Sequence, residues 1–127
     1  MQGIDEIREE HEWIMNTISK INSLIGKKNS QEEVIILLKS LSNIWHSHEE
    51  KEEVLFSSIK QHSREYFPEE MLIEQHRELR GHWKVLSKVI NLNNPLKLEV
   101  ALDTDGKMLI SKFIKHIDEE EMLFDKL

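Results

Sequence analysis

The sequence predicts an all-α protein that folds as an antiparallel up-down-up-down bundle of four helices. Four stretches carry apolar residues in alternating steps of three and four, the spacing that places them on one face of a helix. The 127 residues include four glycines, two prolines and 32% charged side chains, a composition typical of helices joined by short links. A chain of this length forms one domain, residues 1–127, around a single core.

Helix-terminal residues delimit the first two helices. The first spans about residues 4–26 and ends at Gly26, because glycine readily adopts the left-handed conformation of a C-terminal cap. The second spans about residues 31–62. Ser30 is its predicted N-cap, since Glu33 follows three residues later in the spacing of a capping box.

The last two helices are predicted from Pro68 onwards. The third spans about residues 68–91, because a proline in the first turn loses no helical hydrogen bond. Residues 96–106 begin with alternating apolar and polar side chains, as in a strand. We interpret them as a linker that leads into the fourth helix, at about residues 103–126.

Composition and charge exclude several classes of function. The 24 acidic and 17 basic side chains give a net charge of −7, and no separate basic block is present that would bind nucleic acid. The absence of cysteine excludes disulfides and thiolate metal sites. The longest apolar run, residues 34–38, is too short to cross a membrane, and the N-terminus lacks a signal-peptide pattern. We therefore expect a cytoplasmic protein that binds neither nucleic acid nor a membrane.

Polar residues interrupt the predicted inward face of every helix. Each face carries one histidine, and on the second and fourth helices a glutamate follows it by four residues, one turn further along. With a rise of about 1.5 Å per residue, the antiparallel topology brings these polar residues to one height in the bundle. The six residues are His11, His48, Glu52, His76, His116 and Glu120.

The six residues have the chemistry of a metal site. Buried carboxylates without a counter-charge are costly, and no lysine or arginine lies on these faces. Four imidazoles and two carboxylates that are able to bridge exceed what one ion needs, so we predict two metals about 3.5–4 Å apart. These ligand types suit iron, manganese, zinc or cobalt. Glu49, next to His48, is a weaker candidate ligand, whereas His46 and His82 are predicted to face solvent.

In these motifs the sequence resembles the hemerythrin-like domains that have the His-His-Glu cation-binding pattern. The matching segments, residues 10–14, 48–56, 74–79 and 116–124, are distributed over the whole chain. The resemblance implies a four-helix bundle that holds two non-haem iron ions, bridged by an oxo or hydroxo group and by carboxylates. The four histidines would be terminal ligands, and Glu52 and Glu120 would be bridges.

Two positions differ from the oxygen-carrying hemerythrins. The carriers have a second histidine four residues after that of the third helix, where this chain has Arg80, which has no lone pair to offer a metal. The carriers also place an aspartate five residues after the histidine of the fourth helix, where this chain has Glu121. The inward spacing favours Glu120 and leaves Glu121 as a weaker candidate. The ligand set is closer to the hemerythrin-like domains that sense iron or oxygen.

The sequence therefore predicts a di-iron module that responds to oxygen, nitric oxide, peroxide or the iron supply, with azide as a further small ligand. Manganese or zinc is the alternative to iron. Oxygen storage or transport, a redox enzyme such as a peroxidase, and a purely structural metal remain open. The enzyme is less favoured, because no residue beyond the ligands resembles a general acid or lines an evident substrate pocket.

Overall fold

Helices account for most of the described chain, which comprises residues 2–63 and 66–127 of a computed structural model. Helix α1 is Gln2–Leu24, α2 is Gln31–His62 and α3 is Glu69–Asn91. The fourth helix, α4, comprises an α-helical segment Pro95–Ala101, a π-helical segment Leu102–Gly106 and a second α-helical segment Lys107–Asp125. No strand occurs in these residues, and the prediction of an all-α four-helix bundle is confirmed.

Each helix packs against two neighbours. Helix α1 contacts α2 and α4, and α3 contacts the same two helices on its other side, so the four form a closed ring around the core. Neighbouring helices run in opposite directions. Glu6, near the start of α1, pairs with Lys51 in the second half of α2, and Gln75, near the start of α3, bonds Glu119 near the end of α4. No helix in the described residues has both the length and the apolar character that a membrane crossing requires.

The connection after α1 shows one confirmed expectation and one correction. Gly26 has a φ angle of +90°, the left-handed conformation expected of a C-terminal glycine. Ser30 occupies the N-cap position of α2, but its side chain makes no capping hydrogen bond. Its hydroxyl donates instead to the carbonyl oxygen of Lys27, 2.6 Å away. The capping box is therefore absent because the hydroxyl serves the preceding turn.

The predicted linker at residues 96–106 is wrong, because this stretch is helical from Pro95. The side chain of Asn94 accepts a hydrogen bond from the backbone N–H of Lys97, which caps the new helix directly before the proline. Leu98 and Leu102 face the core at helical spacing, although the alternating pattern resembled a strand. Helix α4 thus begins at Pro95 rather than near residue 103.

Two apolar clusters fill the bundle and leave a polar layer between them. The larger cluster includes the buried residues Ile14, Leu41, Trp45, Leu79 and Phe113, among others. The smaller one consists of buried Ile7, Leu55, Phe56, Ile59, Phe67, Leu72 and Phe124. On α1, α2 and α3 the interrupting histidine lies between residues of the two clusters, and on α4 Glu120 does.

Candidate metal centre

The structure brings all six predicted polar residues together in the layer between the two apolar clusters. Each of them exposes at most 3% of its surface. They belong to four different helices, so their meeting depends on the relative heights of those helices. The six are His11 on α1, His48 and Glu52 on α2, His76 on α3, and His116 and Glu120 on α4.

The Glu52 carboxylate lies at the middle of this layer. The Nε2 atoms of His76 and His116 lie 3.1 Å and 3.3 Å from its Oε2 atom. Its Oε1 atom contacts Nε2 of His48 and lies 3.6 Å from Nε2 of His11. All four imidazoles therefore direct the same ring nitrogen towards one carboxylate.

The Glu120 carboxylate lies beside this arrangement. It contacts Nε2 of His116, one turn earlier on the same helix, and its Oε2 atom lies 3.8 Å from Nε2 of His11. Both atoms of the second pair are buried without a hydrogen-bond partner in the described structure. A separation of 3.8 Å lies below about 4.2 Å, the largest distance possible between two ligands on one ion with bonds of about 2.1 Å. A cation between them would satisfy both atoms.

The ligand atoms form two groups with one member in common. Within each group, one atom from every residue lies within 4.8 Å of the others. One group is His11, His48 and Glu52; the other is Glu52, His76, His116 and Glu120. Because Glu52 belongs to both, the layer has room for two neighbouring cations that share a carboxylate.

The two carboxylates have opposite pKa shifts. Burial raises the pKa of Glu52, but hydrogen bonds from the surrounding histidines outweigh burial and hold that pKa well below its usual range. Burial and the neighbouring charge of Glu52 raise the pKa of Glu120 well above its usual range. Two buried carboxylates this close together cannot both remain ionised without added positive charge.

Outer partners orient three of the four imidazoles through Nδ1. His11 is hydrogen-bonded there to Glu121 at 2.7 Å, and His48 to Glu10 at 2.8 Å. Nδ1 of His116 bonds the side-chain oxygen of Gln75 at 2.6 Å. A metal-binding histidine commonly donates its other ring N–H to such an acceptor, which fixes the tautomer and the ring orientation.

The sequence did not indicate Glu10 and Gln75 as functional residues. Each immediately precedes a candidate histidine in sequence, yet each bonds the imidazole of a different helix. Periodicity assigns a residue to a face of its own helix and does not identify its partner on a neighbouring helix. No signal in a single sequence distinguishes these residues from ordinary boundary residues.

The two weaker candidates lie at the edge of the layer. Glu121 accepts from His11 and pairs with Arg8, whose Nε atom lies 3.0 Å away. Glu49 is 5% exposed, and one of its oxygens contacts the guanidinium of Arg80. That oxygen lies 4.0 Å from Nδ1 of His76.

The other two histidines considered differ in exposure. His46 is exposed, as predicted. His82 is only partly exposed, and its Nδ1 atom lies 3.5 Å from Asp105. Neither lies among the ligand atoms of the buried layer.

Fold and site together define a four-helix bundle that carries a buried histidine–carboxylate centre with the composition of a metal-cation site. The chain matches the model of the hemerythrin HHE cation-binding domain over residues 2–127. It therefore belongs to that family, which confirms the resemblance of its motifs. No curated protein and no solved structure matches the chain.

Proposed function

We propose that this protein binds two non-haem iron ions and responds to a small ligand or to the iron supply. One observation carries the proposal: two groups of buried ligand atoms share the carboxylate of Glu52. His11 and His48 would hold one ion, and His76 and His116 the other. Glu52 and Glu120 would bridge them.

The choice of iron rests on the ligand types within each group. One group has two imidazoles and one carboxylate, and the other has two imidazoles and two carboxylates. Such sets, around an ion with open positions, are typical of non-haem iron. Four imidazoles against two carboxylates favour manganese less, because manganese suits oxygen ligands. A purely structural zinc site is closed by four protein ligands, and the group of Glu52, His76, His116 and Glu120 supplies four. Zinc is therefore the second choice, ahead of manganese.

A response to oxygen, nitric oxide, peroxide or azide follows from coordination positions that the protein does not fill. Bound iron would supply such positions and a change of oxidation state. The chain itself contributes a shielded layer, because apolar clusters cover the six ligands on two sides. A sensor or binding module is favoured over an enzyme, since the one further buried acid beside the layer in the described residues, Glu49, is paired with Arg80.

The test is the metal content of the purified protein together with its optical spectrum. We expect close to two metals per chain, mainly iron. Replacing His48 or Glu52 by Ala should remove metal and loosen the helix packing, because a buried centre couples metal binding to folding. Glu50→Ala is the matched control, as Glu50 is exposed on the same helix. A protein that takes up no metal when iron is supplied, and whose thermal stability iron leaves unchanged, would contradict the proposal.

A further inference from the structure

His76 differs from the other three buried imidazoles. It exposes 1% of its surface, yet its Nδ1 atom has no hydrogen-bond partner in the described part of the chain. The Nδ1 atoms of His11, His48 and His116 all have one. A buried nitrogen without a partner is costly and requires an explanation.

Two carboxylates lie near this nitrogen. Oε2 of Glu53 is 3.6 Å away and Oε1 of Glu49 is 4.0 Å away, both too far for a good hydrogen bond. Glu49, Glu53 and His76 nevertheless form a third group of ligand atoms that lie within 4.8 Å of one another. The 3.6 Å and 4.0 Å distances to Nδ1 of His76 lie below about 4.2 Å, the largest distance possible between two ligands that each bind one ion at about 2.1 Å.

This group connects the surface with the buried centre. The side chain of Glu53 is 37% exposed, that of Glu49 is 7% exposed and that of His76 is 1% exposed. The opposite nitrogen of the His76 ring lies 3.1 Å from Glu52. The ring therefore belongs to both the outer group and the centre.

Arg80 shows that the outer group attracts positive charge. Its guanidinium contacts Glu49, and its side chain is 44% exposed. A long, half-exposed side chain can swing into solvent and leave Glu49 to another cation. The second oxygen of Glu49 is buried without a hydrogen-bond partner.

We propose that Glu49, Glu53 and Nδ1 of His76 form an outer site for a divalent cation, through which metal passes into the buried centre. This inference rests on the proposed metal-binding function. A neutral imidazole has one lone pair, so His76 serves either the outer site or the centre. The outer site is thus an intermediate binding site on the path of metal entry, and it is empty once the centre is occupied.

Transfer between the two sites requires a change of tautomer. In the outer site, Nδ1 of His76 holds the cation and Nε2 carries the ring proton. In the centre, Nε2 holds the cation and Nδ1 carries the proton. One nitrogen–metal bond breaks, another forms, and the single ring proton moves from Nε2 to Nδ1 by way of water. Charge and oxidation state do not change.

A different role for Glu53 predicts different kinetics. If Glu53 only supported His76 by accepting the proton of Nδ1, its loss would weaken the centre and accelerate metal release. An intermediate site on a reversible path affects the rates of metal uptake and metal release equally. Its loss slows both and leaves the equilibrium affinity unchanged.

The experiment follows Co²⁺ uptake by the metal-free protein through the visible absorbance of the bound ion, with release measured by adding a chelator. We expect Glu53→Gln to slow uptake and release by about tenfold each, equivalent to about 1.4 kcal/mol in the barrier, with unchanged final stoichiometry and affinity. Glu50→Gln is the matched control and should stay within about twofold of the parent, because the same charge is lost from an exposed position on the same helix. Arg80→Gln should accelerate uptake, since it removes the competing cation.

Each other outcome overturns the inference. The inference is contradicted if Glu53→Gln has the rates of the parent protein or if Glu50→Gln is slowed equally. It is also contradicted if Glu53→Gln releases metal faster and binds it with lower affinity. Slower or unchanged uptake in Arg80→Gln does so independently of the folding of the Glu53 variant. Failure of the parent protein to bind Co²⁺ at all would instead contradict the proposed function.

Discussion

The four buried histidines differ most in the hydrogen-bond acceptor that lies at Nδ1 of each imidazole. Glu10 has two partners, since Oε1 bonds Nδ1 of His48 and Oε2 bonds Nζ of Lys51 at 2.7 Å. Burial opposes the ionisation of Glu10, but Lys51 and His48 outweigh it and lower the pKa of Glu10. Glu10 is therefore a charged acceptor, which strengthens its bond to an imidazole N–H.

Glu10→Gln should lower the metal affinity of the protein by about 10- to 100-fold, because a weaker acceptor leaves the His48 ring less firmly oriented. Competition with a chelator of known affinity measures the loss. Glu9→Gln removes the same charge from an exposed neighbouring position and should leave the affinity unchanged. Equal losses in both variants would show that the overall charge of α1 acts on the metal, and not the bond to His48.

Arg80→His tests the position that separates this chain from the oxygen carriers. The new imidazole would lie one turn after His76, on the same side of α3. We expect it to fill a coordination position that an exchangeable ligand otherwise occupies, and to slow the oxidation of the reduced iron protein in air. Stopped-flow absorbance measures the rate. If the parent protein holds oxygen reversibly for hours, the carrier function becomes the better proposal.

At the scale of the elements, α4 shows how one helix accommodates two packing environments. Its first segment packs Leu98 and Ala101 into the larger cluster, and its last segment carries His116 and Glu120. The π-helical segment Leu102–Gly106 joins them, and the hydroxyl of Thr104 donates to the carbonyl oxygen of Val100 at 2.9 Å. A wider turn of this kind changes which side of the helix the following residues occupy.

Two glycine substitutions should have opposite effects on stability. Gly81 lies within α3, and a Cβ atom added there meets no atom within 4 Å. Gly81→Ala should therefore raise the free energy of unfolding by about 1 kcal/mol. Gly26→Ala should lower it by about 1 kcal/mol, since its φ of +90° is strained for alanine. Thermal unfolding measures both, and a stabilised Gly26→Ala would contradict the assignment of a left-handed cap.

At the scale of the whole molecule, the bundle contains a charged layer between two apolar clusters. The unfavourable free energy of burying Glu52 and Glu120 affects the packing of all four helices, because every helix contributes at least one candidate ligand. The chain as a whole carries a net charge of −7, which adds to the repulsion. Added cations should therefore stabilise the entire fold rather than one segment.

Metal at about 100 times its dissociation constant should stabilise the protein by about 2.7 kcal/mol for each ion bound. For a domain of this size that corresponds to a rise in Tm of about 10 °C over the chelator-treated protein. Calorimetry of both forms measures the difference. Glu52→Gln should show a smaller rise, because it lacks the carboxylate charge that both ligand groups share. An equal rise in that variant would point to cation binding elsewhere on the surface.

Much of the fold and the buried layer followed from the sequence, because helical periodicity is a local property. Steps of three and four assign His11, His48, His76 and His116 to inward faces without knowledge of the neighbouring helices. The antiparallel order and a constant rise per residue then predict that they meet. The same logic failed at residues 96–106, where the alternating pattern concealed a helix that Asn94 caps.

Only the tertiary structure decided which partners these side chains take. The bonds of Glu10 to His48 and of Gln75 to His116 cross between helices, so they depend on helix rotation and rotamer, which a periodic pattern leaves open. The lack of a hydrogen-bond acceptor at Nδ1 of His76 within the described residues is likewise invisible in the sequence. A sequence specifies which side of its own helix a residue occupies, whereas the direction and partner of its polar atoms are set by the packing of all four helices.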